Sequence, residues 1–131
     1  MLSKFDILAE FPSRVTIDFS NPFLDLVHNM SRREKIEALL EDDPQDQFLR
    51  YSLAMELAKE GEHERSQTLF ANLREDQPPY VPAFFMAAQH LVDLERTDEA
   101  RELLTAGVTA AEQQGDLHAA GEMREFLLTL G

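Results

Sequence analysis

The sequence predicts an all-α protein made of antiparallel helical hairpins stacked side by side, and three observations carry that reading. Between Gln47 and Pro79 two runs keep helical spacing: Leu53, Ala54 and Leu57 before Gly61, then Ser66, Leu69, Phe70 and Leu73 after it. The pattern then returns at a constant offset of 34 residues, Leu53 falling on Ala87, Ala54 on Ala88, Leu57 on Leu91, Ser66 on Ala100, Phe70 on Leu104 and Leu73 on Gly107. Strand-like alternation is confined to Val15, Ile17 and Phe19, and no second such run is in sight to pair with it.

Residues 1–29 stand outside the repeat and read as helix and coil. Met1–Phe11 suggests a short helix with Phe5, Leu8 and Ala9 on one side. Ser20-Asn21-Pro22 is a helix start opening Phe23–His28. Several large apolar residues argue against simple disorder. The segment is an N-terminal extension or the product of an upstream start codon, because the regular pattern begins at Met30. A chain starting at Met30 is expected to fold.

From there the elements follow in order. Ser31-x-x-Glu34 is a capping box in which each side chain satisfies the other residue's amide. It opens a helix over Arg32–Glu41 with Ile36, Leu39 and Leu40 inward. Pro44 stands one period ahead of Pro78, so 31–46 reads as half a repeat. The first full repeat, 47–80, holds helices at about Asp46–Glu60 and Glu64–Asp76. Gly61 ends the first of these, since glycine takes the left-handed conformation without the roughly 1–2 kcal/mol other residues incur. Pro78 and Pro79 follow the second. The repeat at 81–114 holds helices at about Val81–Leu94 and Thr97–Gln114, with Pro82 in the first turn and Thr97 with Asp98 expected at the N-cap. Gly115-Asp116 breaks and recaps the chain, and a terminal helix over Leu117–Leu130 covers the open end, giving a cap at 116–130. Ala120, Met123, Leu127 and Leu130 point inward there, and Gly121 is expected to permit a close crossing.

These residues carry a family resemblance. Leu53-Ala54-x-x-Leu57, Gly61, Phe70, Leu73 and Pro78, followed by Ala87-Ala88-x-x-Leu91, Ala100 and Leu104, resemble the tetratricopeptide repeat, small bacterial members in particular. The likeness extends over about residues 31–127. Three positions depart from it: Arg50 stands where the family often has Trp, Glu95 replaces the turn Gly, and Glu112 replaces the closing Pro. The resemblance implies a right-handed superhelix over 30–131 that serves as a non-catalytic protein-interaction module.

Composition narrows the partners. A formal charge of −13 opposes nucleic-acid binding, which needs a basic patch to displace counterions. The one tight basic cluster, Arg32-Arg33-x-Lys35, shares its helix with Glu34 and Glu37 and reads as a solvated face. With no cysteine, thiolate catalysis and cysteine zinc sites are excluded, and a reducing cytoplasm fits. No apolar run approaches the ~20 residues of a membrane span.

Catalytic chemistry finds little support. His118 and Glu122 stand one helical turn apart, but two ligands do not make a metal site, and the pair reads as surface polar. His63, among Glu60, Glu62 and Glu64, reads as a solvated hairpin tip. His90 reads as lying on a helix flank, and His28 falls in the N-terminal segment. No glycine-rich phosphate loop occurs, and no cofactor is expected.

The binding face follows from helix geometry. With Arg50, Leu53, Ala54 and Leu57 inward, Phe48, Tyr51, Met55 and Ala58 point the opposite way, and Lys59 follows at the edge. One period on, Pro82, Phe85, Gln89 and Val92 occupy the same face, with Met86 at its edge. A surface helix should be polar there. By the resemblance these positions line the concave groove. Tyr51 and Met55 replace two residues of the family's carboxylate clamp, which implies an apolar or aromatic segment as ligand rather than an acidic chain terminus. The expected groove is Phe48, Tyr51, Met55, Lys59, Phe85, Met86, Gln89 and Val92. Its cover is a partner protein or peptide, a second copy in a homodimer, residues 1–29 with Phe19 or Phe23 folded back, or the flanking helices of the array.

Overall fold

The computed structural model describes residues 29–131, and the elements among them are six helices: α1 Arg32–Asp42, α2 Gln47–Lys59, α3 His63–Arg74, α4 Val81–Asp93, α5 Thr97–Gln113 and α6 Leu117–Thr129. The expectations for the N-terminal helices and the Val15–Phe19 alternation lie outside the described residues. Helices α2 with α3 and α4 with α5 form the two hairpins, α1 packs on α2, and α6 closes against α5. Helix α3 hands over to α4, while α2 touches α4 and α4 touches α6, so the even-numbered helices share one layer.

Local sequence explains where helices begin and end. Ser31 accepts from the Glu34 amide at 3.1 Å while Glu34 accepts from the Ser31 amide at 3.4 Å, completing the expected box. Asp46 caps α2 through the Leu49 amide at 2.8 Å, and Asp116 caps α6 through the Ala119 amide at 3.1 Å. Three turns share one closure: the amides of Glu62, Arg96 and Asp116 donate to the carbonyls of Leu57, Leu91 and Ala111 at 2.8–2.9 Å. The residue before each donor is left-handed, Gly61 at φ +82°, Glu95 at +63° and Gly115 at +75°. Glu95 thus adopts the glycine conformation despite its Cβ. This closure puts Arg96 in the cap position of α5 without a side-chain cap bond, and Thr97 becomes the first helical residue rather than the cap.

The stripes offset by one period are buried as pairs: Ala54 with Ala88, Leu57 with Leu91, Phe70 with Leu104. Ile36, Leu49, Leu53 and Leu57 form one cluster between α1 and α2, flanked by Leu69. Ala54, Phe70, Leu73, Ala83 and Ala87 form a second at the joint between hairpins. The third gathers Phe84, Leu91, Leu104, Ala111 and Met123 around the second hairpin and α6. Each large side chain buried in this way contributes roughly 1.5–3 kcal/mol.

The close crossing falls at Gly107, not at Gly121. A Cβ on Gly107 would stand 2.6 Å from Met123 Sδ and 2.7 Å from Phe84 Cβ, whereas one on Gly121 would meet nothing within 4 Å. The basic cluster of α1 is likewise more than a solvated face. Arg32 bonds Glu56 at 2.8 Å and Arg33 bonds Glu60 at 2.9 Å, tying α1 to α2, and Arg33 also reaches Glu37.

Candidate protein-binding groove

The shared layer of α2, α4 and α6 carries two concavities that meet at Met86. The first, about 230 Å³, is lined by Met55, Ala58 and Lys59 of α2, Phe70 of α3, and Met86, Gln89, His90 and Asp93 of α4. The second, about 220 Å³, lies between Tyr51, the α4 start with Pro82 and Phe85, and α6, where Asp116 and Glu122 join its lining. The walls are mostly apolar, and the charged residues among them are Lys59, Asp93, Asp116 and Glu122.

Of the residues expected in the groove, Tyr51, Met55, Lys59, Phe85, Met86 and Gln89 line one or other concavity. Phe48 and Val92 line neither. Phe48 is 40% exposed, and Val92 packs against the core of the second hairpin. The face is also partly covered from within. The Tyr51 ring meets Tyr80 edge-on at 5.5 Å and Phe70 at 6.2 Å, and Phe85 meets Phe126 of α6 at 5.5 Å. Flanking elements therefore shelter the aromatic rings while Met55 and Met86 remain half-exposed between them. Burial, and then Tyr80 beside it, pushes the Tyr51 phenol above its usual range.

An imidazole pair that the sequence did not reveal borders the first concavity. His90 is buried and its Nε2 lies 2.8 Å from Nδ1 of His63, which is half-buried rather than a solvated tip. Gln67 of α3 completes the chain, with Nε2 3.1 Å from His90 Nδ1 and 3.4 Å from the Ala87 carbonyl. The antiparallel joint brings them together: His63 opens α3 and His90 lies in the last turn of α4, so the two come to the same end of the joint. Pairing the start of one helix with the end of the next is the signal which could have found them. Burial, then His63, pushes His90 below the usual imidazole range; Asp93 opposes and Arg96 adds to the depression.

The arrangement presents apolar walls with hydrogen-bonding edges. Among the described residues no three His, Cys, Asp or Glu side chains group to hold a metal ion, and His118 with Glu122 forms an exposed pair at 3.0 Å. No protein-family model matches the chain, and no curated protein matches it. Among solved structures, the chain is similar to the solution NMR structure of a tetratricopeptide repeat domain protein from Salinibacter ruber. That match has 32% identity and a TM-score of 0.63, covering 67% of this chain and 89% of the other.

Proposed function

Because the chain belongs to the tetratricopeptide repeat family, we propose that it is a non-catalytic protein-interaction module whose groove takes an apolar or aromatic segment of a partner protein. The supporting observation is the concavity between α2 and α4, where Met55, Phe70 and Met86 supply apolar lining and Lys59 and Gln89 supply polar groups able to bond a backbone. Methionine side chains adapt to varied apolar shapes, which suits a surface that receives a side chain from outside. A cytoplasmic setting belongs to the same reading. It draws on the absence of cysteine and, among the described residues, of any helix long and apolar enough to cross a membrane.

The test is capture from the native organism with wild-type bait, a Met55→Gln, Met86→Gln bait and a Thr105→Ser, Thr109→Ser control on the far helix. Partners kept by the control and lost by the groove variant support the reading. Equal capture by all three folded baits removes it.

Self-association is the second reading, favoured by Leu117 and Leu128. They are 70% and 82% exposed and stand three turns apart on one face of α6. Sedimentation velocity separates the two readings: a dimer dispersed by Leu128→Ser favours this one, and a monomer at high concentration removes it.

A further inference from the structure

We propose that His90, His63 and Gln67 form a proton-operated latch across the joint between α3 and α4, and that protonation releases it and reshapes the groove at Met55 and Met86. The hydrogen-bond chain allows one arrangement of protons. The Ala87 carbonyl can only accept, so the Gln67 amide nitrogen faces it and its second hydrogen points at His90 Nδ1. His90 then carries its proton on Nε2 and donates to His63 Nδ1, leaving the His63 proton on Nε2. Both basic nitrogens of the pair therefore already accept a hydrogen bond. A proton added to either meets an N–H head on.

Relief requires a concerted change. If His63 Nδ1 gains the proton, His90 must move its own from Nε2 to Nδ1, and Gln67 must turn its oxygen toward that ring. The amide then abandons the Ala87 carbonyl. If His90 Nδ1 gains the proton, Gln67 must turn in the same way. Either route loosens the contact between α3 and α4 at the wall of the first concavity, which His90 shares with Met55 and Met86. The charged groups around the pair are Lys59 of α2, Glu64 of α3, Asp93 of α4 and Arg96 beyond it, the last held 3.7 Å from Glu64 and 2.7 Å from Glu99. At His90, Asp93 favours the added proton and Arg96 opposes it. Because the folded His90 titrates below the ordinary value near 6.5, the latch is closed above that pH and opens as pH falls beneath it.

The latch rests on the groove reading only for its consequence, and it is tested with no partner present. Long-range ¹H–¹⁵N imidazole spectra of the full chain at pH 8 are expected to show both rings as Nε2–H tautomers. The Nδ1–H form at either ring overturns the proposal. With ¹³C-labelled methionine methyls followed from pH 8 to pH 5, Met55 and Met86 are expected to shift with the His90 midpoint while Met123 stays fixed. In His90→Gln that coupled shift is expected to be lost, because both routes pass through the ring that the amide replaces. The same methyl shift in a folded His90→Gln protein, or a wild-type His90 titration with silent Met55 and Met86, overturns it. The two wild-type measurements decide the matter if the variant does not fold.

Discussion

The Arg50 guanidinium of α2 grips Asp76, two residues beyond the end of α3, with Nη1 2.7 Å from Oδ2 and Nη2 3.3 Å from Oδ1. Gln47 Nε2 adds a third donor to the same carboxylate at 2.9 Å. Arg50 continues the helical stripe of Leu53, Ala54 and Leu57, so its place is inside the hairpin, and this pairing is what lets a cation occupy it. The Arg50 bond, then the Gln47 bond, holds the Asp76 carboxyl below its usual range.

A pH dependence follows from that depression. Asp76 stabilises the fold fully above the unfolded carboxylate value of about 3.9, and the contribution is lost as pH falls through the lower folded value. Asp76→Asn is expected to cost about 1–2 kcal/mol at pH 7, in the range of a partly exposed charge-assisted bond. The gap between variant and wild type should shrink as acid protonates Asp76. Urea denaturation at pH 7 and again near pH 3 measures both; a constant gap would mean that the pair contributes through shape rather than charge.

The two helical glycines should respond with opposite signs. Gly107→Ala gains roughly 1 kcal/mol of helix propensity but drives a methyl into Phe84 Cβ, which no rotamer change can withdraw. Overpacking of this kind costs about 1–3 kcal/mol, so net destabilisation is expected. Gly121→Ala meets open space and should stabilise by about 0.5–1 kcal/mol. Thermal melts of the two variants settle the comparison, and a stabilised Gly107→Ala would show that the α4–α5–α6 crossing is looser than its distances say.

Glu95 holds a left-handed backbone at φ +63°, a position where the other two turns have glycine. Glu95→Gly relieves strain of roughly 1–2 kcal/mol, offset in part by the greater freedom of glycine in the unfolded chain. A net gain of about 0.5–1 kcal/mol is expected, read as a rise of a few degrees in Tm. A lower Tm would mean that the Glu95 side chain contributes more than its backbone costs.

The fold was legible because period and helical spacing report which side chains face one another. Leu57 with Leu91 and Ala54 with Ala88 are buried as their shared register demands. Contacts between helices were less so, since spacing along one helix says nothing about the neighbour's side chain. Gly107 was read only as the counterpart of Leu73, yet its missing Cβ is what admits Met123 and Phe84. His63 and His90, 27 residues apart, become partners only once the antiparallel joint is drawn. The groove was legible in outline for a related reason. Tyr51 and Phe85 do lie on the expected face, but the rings that shelter them, Tyr80 and Phe126, come from a connection and a distant helix.

The boundary between core and groove runs along α2 and can be measured there. Leu57 is fully buried beside Ile36, Leu49 and Leu53, so Leu57→Ala removes transfer energy and leaves a cavity, an expected loss of about 2–5 kcal/mol. Met55, two residues earlier, points about 200° away and is half-exposed over the first concavity. Met55→Ala should therefore cost only about 1 kcal/mol, since much of its surface already meets water. Paired denaturation curves give the two values under one set of conditions. A small loss at Leu57 would mean that α2 is phased differently from this structure. A Met55 loss as large as that of Leu57 would make Met55 a core residue and close the groove as a binding surface.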